Sequence, residues 1–393
     1  MPVSLSNRIL AVSAALALLC AAPAVRAQIG QVETLARQMI LVDATSQTVI
    51  FAKNADDLMP PSSMSKLMTA YMVFERLAEG KLRMDDVLPV SEKAWRMQGS
   101  KMFVHVGDRV KVEDLLRGVI IQSGNDACIV LAEGLAGSEE RFAEMMNERA
   151  RQLGLQRSVF RNASGWPEPE HVMTASELAK LAQLIIDRFP QYYHFYSEKD
   201  FTYSIDSVSK KPITQGNRNP LLYKDIGADG LKTGHTDAAG YGLTASARRG
   251  DRRLILVVNG LKSMNERSRE AERLIEIGFR EFETYRLFSK GAVVEEADVW
   301  LGEQGKVGLV LDRDVAVTMA RRNRPGLKVV LSYENPIPAP IQQGAPLARL
   351  TITAPEMATL EIPLGAATAV DRLGFGGRIT AALSHLLWGA SRK

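Results

Sequence analysis

Ser63 and Lys66 stand three residues apart at the head of an apolar run that extends from Met64 to Leu77. On a helix, positions i and i+3 share a face, so the Lys66 amine falls one turn beyond the Ser63 hydroxyl and beside it. A serine hydroxyl attacks a carbonyl only after a base has taken its proton. A lysine can be that base where burial lowers its pKa. The helix start adds backbone N–H groups and a positive dipole end, which favour a developing oxyanion. The run is apolar almost all round, which predicts a buried helix rather than a surface one. Pro60, Pro61, Ser62 and Ser63 mark its beginning. The same spacing recurs at Ser207 and Lys210, in a polar stretch with no apolar helix behind it, and reads there as a solvated loop.

Two more short stretches carry matching chemistry. Ser123-Gly124-Asn125 lies between an apolar helical pattern over 112–121 and another from Ala127 to Leu135. Ser123 can relay a proton between Lys66 and a leaving group, and Asn125 can hydrogen-bond Lys66 or a substrate amide. Taken alone, the tripeptide reads as a helix cap. Lys232-Thr233-Gly234-His235 follows Gly227-Ala228-Asp229-Gly230 and precedes a strand candidate. Lys232 and Thr233 offer a charge and a hydroxyl to a carboxylate, and Gly234 lets a backbone approach closely. Taken alone, this stretch reads as a surface turn. Three such stretches in this order are hard to obtain by accident.

The elements that must position them can be traced along the chain. Met39–Val42 and Thr48–Phe51 are apolar runs around a polar turn and predict a hairpin. Helical spacing marks Val112 to Ile120, a charged helix from about Ser138 to Leu153, and Ser176 to Ile186. Strand candidates follow at Phe201–Ile205, Tyr241–Ala247 and Leu254–Val258, and a helix carries the stripe Ala271, Leu274, Ile275, Phe279, Phe282. Strands at both ends with helices between predict an α/β (α+β) domain whose sheet draws on distant parts of the chain. Beyond about Phe288, short β-branched runs separated by Gly, Pro and Asn predict a small all-β domain.

The chain has 393 residues, which is long for one domain. A net charge of +4, with aromatics not interleaved with basic clusters, gives no case for nucleic acid. Residues 1–27 combine basic Arg8, an apolar core and the exit Ala24-Val25-Arg26-Ala27, which reads as a cleaved secretory signal peptide. Without it Cys128 is the only cysteine, so no internal disulfide is expected. The histidines form no metal-spaced pair, and no metal or cofactor is expected. In the tail, Ile379, Ala382, Leu383, Leu386 and Leu387 make an apolar stripe with Trp388 and flanking cations, an amphipathic helix suited to a membrane surface. The expected segments are 1–27 signal, 28–286 catalytic domain, 287–368 β domain and 369–393 anchor helix.

The trio of motifs is shared by penicillin-binding proteins and class A β-lactamases, with Ser-Asp-Asn in the middle position. With Asp229 to Thr236 and Ser123 to Cys128, the chain from about Gln31 to Lys393 resembles the low-molecular-mass penicillin-binding proteins, the serine-type D-alanyl-D-alanine carboxypeptidases. The resemblance implies a β-lactamase/transpeptidase-like catalytic domain, a β domain and a membrane-anchor helix on the periplasmic face of the inner membrane. It implies a peptidoglycan pentapeptide as substrate, Ser63 as nucleophile, Lys66 as base and Ser123 assisting departure of terminal D-Ala. Ser63 and His235 would form the oxyanion hole, Lys232 and Thr233 would hold the terminal carboxylate, and β-lactams would acylate Ser63. Cys128 would be a buried bystander. A β-lactamase is the nearest rival, but Glu168, Glu170 and Glu177 lack the following Leu-Asn of the class A deacylating glutamate. A D-Ala-D-Ala endopeptidase usually lacks the β domain. A penicillin-binding scaffold without turnover is disfavoured by the intact set Ser63, Lys66, Ser123, Asn125 and Lys232.

Overall fold

A computed structural model describes residues 29–205, 209–377 and 379–380. The expected signal peptide, Ser207 and residues 381–393 of the expected anchor helix lie outside them.

The first hairpin joins β1 (Gln38–Asp43) to β2 (Thr48–Lys53). Asp43 Oδ1 closes its turn by accepting the N–H groups of Thr45 and Ser46 at 3.0 and 3.2 Å. A short 3-10 turn, Ser62–Ser65, then runs into α1 (Lys66–Ala78). Ten of its side chains, Lys66 included, are buried, as its all-round apolar pattern requires. Next come β3 (Val87–Pro89), α2 (Glu92–Arg96), β4 (Arg109–Lys111), α3 (Val112–Ile120) and α4 (Asn125–Ala136). Helices α5 (Glu139–Gln152) and α6 (Ala175–Arg188) begin at Ser138 and Thr174, whose hydroxyls cap the N–H groups of Arg141 and Glu177. The ribbon β5 (Asp200–Ile205) and β6 (Pro212–Gly216) leads to β7 (Ala228–Thr236), β8 (Gly240–Arg249), β9 (Arg252–Leu261) and α7 (Met264–Glu281).

The main sheet is antiparallel in the order β2-β1-β9-β8-β7. Its central strand explains the unbroken apolar run in β9. Successive side chains point to opposite faces. Leu254, Leu256 and Val258 pack under α7 with Leu274 and Ile275, while Ile255 and Val257 join the helical core around α1, α3 and α4. Strand β7 closes one edge of this sheet, and its far end lies against the Ser62–Ser65 turn. A Cβ on Gly234 would come within 2.8 Å of the Pro61 carbonyl oxygen, so only glycine permits this approach.

Helix α7 passes directly into β10 (Phe282–Phe288). The β domain continues with β11 (Val293–Trp300), β12 (Lys306–Val310), β13 (Val315–Ala320), β14 (Lys328–Tyr333), β15 (Ile337–Pro338), β16 (Pro346–Thr353) and β17 (Leu360–Ala366). β10 pairs with β13, and the others form a sheet in the order β14-β16-β17-β12-β11-β15. The β-branched runs read from sequence fall in strands, apart from Ala292, which precedes β11. β10, the two-residue β15 and β17 escape that reading: Phe282 extends the helical stripe of α7, and Pro363 interrupts β17. The two domains meet on Asp43, whose buried Oδ2 accepts Arg252 Nε at 2.7 Å and Thr284 Oγ1 at 2.6 Å. After β17 the chain stays on this domain, so the expected anchor helix does not begin at 369: Val370 and Arg372 bridge to Ile341 and Gly302, and Leu373 N–H donates to Leu301 O at 2.9 Å.

Candidate active site

The site forms where the Ser62–Ser65 turn, the α3–α4 loop, the loop after α5 and strand β7 converge. Ser63 is half-buried at the turn, and Lys66 begins α1 with 1% of its surface exposed. Lys66 Nζ donates to Ser63 Oγ at 2.9 Å, Asn125 Oδ1 at 2.7 Å and Ser164 O at 2.6 Å. Burial outweighs the other influences on this amine and lowers its pKa to about 8, with Arg218 acting in the same direction. An ammonium has three protons for these three acceptors. The neutral amine keeps two donors, for Asn125 and Ser164, and turns its lone pair to the Ser63 hydroxyl. The geometry therefore suits proton abstraction from Ser63.

Asn125 and Ser123 are not an ordinary helix cap. Gly124 occupies the cap position of α4 without a side chain. The Asn125 amide is spent on Lys66 and, through Nδ2, on Gln98 O at 2.8 Å. The loop is held by Asp126, a buried carboxylate that accepts the N–H groups of Met102 and Phe103, each at 2.9 Å. Ser123 is 1% exposed and has φ +60, a left-handed conformation. Its Oγ accepts from Lys232 Nζ at 3.0 Å. Sequence placed this hydroxyl between Lys66 and a leaving group; its partner in the structure is the second lysine.

Lys232, Thr233, Gly234 and His235 lie inside a strand of their own, β7, where the sequence placed them beside and ahead of the first strand of the hairpin. This corrects the sequence reading. The polar residues and two glycines hide a strand that forms an edge of the sheet, with no strand pairing its outer side among the described residues. Lys232 is buried and its pKa is driven well down by burial, then by the nearby charges of Lys66 and Arg218. Behind the strand, Asp229 pairs with Arg253 at 2.7 Å and accepts from Tyr193 OH at 3.0 Å. Exposed His235 stacks on Tyr241 with ring centroids 3.9 Å apart.

Sequence reasoning missed four contributors. A cavity of about 460 Å³ is lined by Ser63, Ser123, Thr233, His235, Arg218 and Arg267, among others, with no acidic side chain. Arg218 donates to Ser100 Oγ at 2.6 Å. Arg267 is 5% exposed, its Nε has no partner among the described residues, and burial lowers its pKa to about 10. Its signal was available: Arg267 lies on the buried stripe of α7, four residues before Ala271. Arg218 has none. Ser164 and Trp166 belong to a loop pinned by Asn162 Oδ1, which accepts the N–H groups of Ser164, Gly165 and Trp166 at 3.1, 2.8 and 3.1 Å. Cys128 is buried and its thiol is pushed up to about 12 by burial, so it stays protonated.

The chain matches two family models: D-alanyl-D-alanine carboxypeptidase over residues 24–263 and penicillin-binding protein 5, C-terminal domain, over residues 282–372. The chain belongs to the D-alanyl-D-alanine carboxypeptidase family. Relatives in this family include D-alanyl-D-alanine carboxypeptidase DacC of Escherichia coli (strain K12), 38% identical over 352 residues that cover 88% of this chain and 86% of that one. Penicillin-binding protein 5 of Haemophilus influenzae superposes with a TM-score of 0.80 at 34% identity, over 87% of this chain and 99% of that one. Penicillin-binding protein D2 of Listeria monocytogenes, in an ampicillin-bound form, superposes with a TM-score of 0.56 at 30% identity, over 64% and 99% of the two chains. The family's two-domain plan, a catalytic domain followed by an all-β domain, is the one found here.

Proposed function

We propose that Ser63 is the nucleophile of a serine D-Ala-D-Ala carboxypeptidase that trims peptidoglycan pentapeptides. The observation that carries this is the hydrogen bond from Lys66 to Ser63 beside a cationic cavity. The terminal carboxylate of the stem enters that cavity, taken by Thr233 and the cations Lys232, Arg218 and Arg267. Lys66 accepts the Ser63 proton as Oγ attacks the carbonyl of the penultimate D-Ala. The N–H groups of Ser63 and His235, two residues that line the same cavity, receive the oxyanion. The C–N bond breaks as Ser123 gives its proton to the departing D-Ala nitrogen and recovers one from Lys232. Water then cleaves the Ser63 ester and releases the tetrapeptide; in this deacylation the attacking water gives its proton back to Lys232 through Ser123, and Lys66 returns its proton to Ser63 Oγ. β-Lactams acylate Ser63 by the same route.

The loop side of Lys66 favours a peptidase over a β-lactamase. A main-chain carbonyl, Ser164 O, meets the amine there. Among the described residues no carboxylate hydrogen-bonds Ser63 or Lys66. Glu177 is committed to Ser158 and the N–H of Arg157, and Glu170 to Arg161. The test is D-Ala release from a soluble pentapeptide with penicillin hydrolysis followed in parallel. D-Ala release that penicillin blocks, with slow penicillin turnover, is the expected result. Rapid penicillin turnover without D-Ala release would replace this reading with a β-lactamase.

We also infer that the protein works in the periplasm, exported by residues 1–27 and held on the inner-membrane surface by the apolar stripe of the tail from Ile379 onward. The support is the apolar stripe of the tail and the composition of the N-terminus. No described helix is long and apolar enough to cross a membrane.

A further inference from the structure

Beside the Asp43 contact between the domains, four arginines from separate elements line a cavity of about 360 Å³. Arg249 ends β8 and Arg252 opens β9, whereas Arg286 lies in β10 and Arg321 opens the turn Arg321–Gly326 after β13. Two therefore come from the catalytic domain and two from the β domain. None of them lines the cavity at Ser63. The guanidinium of Arg252 is fixed: Nε donates to Asp43 Oδ2 at 2.7 Å and Thr284 Oγ1 at 3.1 Å, and Nη1 to Phe282 O at 2.6 Å. Its Nη2 is buried and has no partner among the described residues, a state that calls for an acceptor. Arg249 and Arg252 lie over the same ring, 4.6 and 5.4 Å from the centroid of Phe279, so two like charges are held close together.

We propose that this cavity is a site for a phosphate group, free or as a monoester, that ties the catalytic domain to the β domain. Asp43 pairs with Arg252, Glu276 with Arg249 and Glu283 with Arg321. Arg286 is exposed and has no ion-pair partner among the described residues, so one full positive charge in the wall is left for a ligand. The wall holds four guanidiniums against two carboxylates, Glu283 and Asp251. Glu283 is taken by Arg321, and the exposed Asp251 is the group that opposes an anion. A carboxylate is planar and is satisfied by one guanidinium fork. A phosphate monoester offers three oxygens and close to two negative charges at neutral pH, so it can meet arginines arriving from both domains at once. The hydroxyl-bearing Thr45 completes the polar wall. A ligand held by both domains binds the folded protein and not the unfolded chain, so it stabilises the fold as its concentration rises.

The test follows thermal unfolding of the intact protein as inorganic phosphate is added, with ionic strength held constant by potassium chloride. The expected result is an unfolding midpoint that rises with phosphate and saturates. Arg286→Gln removes a guanidinium that makes no ion pair within the protein, and should weaken the apparent affinity about tenfold. Asp251→Asn removes the opposing carboxylate and should tighten it about threefold. A parallel titration with monomeric dihexanoylphosphatidic acid, controlled by dihexanoylphosphatidylcholine, reads the source of the group. A lipid affinity well above that for phosphate, with the choline lipid inert, assigns the site to a lipid monoester. An affinity equal to that for phosphate or below it assigns the site to free phosphate or a soluble ester. No saturable rise with either probe would overturn the site. So would a rise that is the same in the wild type, Arg286→Gln and Asp251→Asn, which would place the anion in the cationic cavity at Ser63 instead.

Discussion

Lys66 Nζ lies 2.9 Å from Ser63 Oγ while burial holds the amine's pKa near 8. The protonated amine cannot take the serine proton, so activity follows its neutral fraction. The expected outcome is a kcat/KM for D-Ala release that climbs about tenfold per pH unit below pH 8 and flattens above it. A profile already flat at pH 6 would remove Lys66 as the base.

Because hydroxyl and amine act as one unit, their losses do not add. Ser63→Ala and Lys66→Ala should each remove nearly all peptidase activity, about a thousandfold or more, and the double variant should be little worse. Labelled penicillin should fail to attach to Ser63→Ala. Label that persists on that variant identifies a different nucleophile.

These two predictions rest on residues legible in the sequence, because hydroxyl and amine are set by local spacing along one turn. Asn125 was legible as a partner of Lys66, although only the fold could show that it also binds Gln98 O. What the sequence could not reveal depends on distant chain returning to the site. Arg218 follows a ribbon, Arg267 arrives from α7, and Ser164 contributes a carbonyl that any residue carries. The Lys232 strand was hidden for a different reason. Strand signals come from β-branched and aromatic residues packing on a pleated surface, whereas β7 (Ala228–Thr236) is built largely of glycine and polar residues. In the β domain the same signals were present, and most strands could be read from them.

Arg267 and Thr233 both line the space assigned to the terminal carboxylate. Hydrogen bonds to charged groups contribute more than neutral ones. Arg267→Gln and Thr233→Val should therefore each raise KM for a peptide ending in a free carboxylate by about tenfold or more. The same peptide capped as a carboxamide should be a poor substrate for the wild type and should lose little more in the variants. An equal loss for both peptides would point to a damaged fold rather than a carboxylate contact.

His171 is 3% exposed, and burial lowers its pKa to about 4, with Lys66 and Arg161 adding to the effect. The folded pKa lies below the unfolded value of 6.5, so the unfolded chain takes the proton first as pH falls. The stability this histidine contributes is complete above pH 6.5 and is lost as pH falls through 4. Between pH 7.5 and pH 5 the loss amounts to about 2 kcal/mol. His171→Phe keeps the ring against Phe160 and removes the titration. Urea unfolding at the two pH values should show the wild type losing about 2 kcal/mol more than this variant. Parallel losses would show that His171 is already charged in the folded protein.

The tail calls for a cut that respects the β domain. Val370 pairs with Ile341, and Arg372 with Gly302, in isolated bridges, and Leu373 N–H bonds Leu301 O. A chain ending at Gly374 keeps all of these and removes the whole apolar stripe from Ile379 onward. If that stripe anchors the protein, the shortened chain should leave the membrane fraction while its D-Ala release from a soluble pentapeptide stays at the wild-type rate. The full chain should stay with the membranes in high salt, because burial of Leu383, Leu386 and Leu387 is not screened as surface charge is. Continued sedimentation of the shortened chain with membranes would place the attachment elsewhere. Release of the full chain by salt alone would make it electrostatic, through Arg378, Arg392 and Lys393.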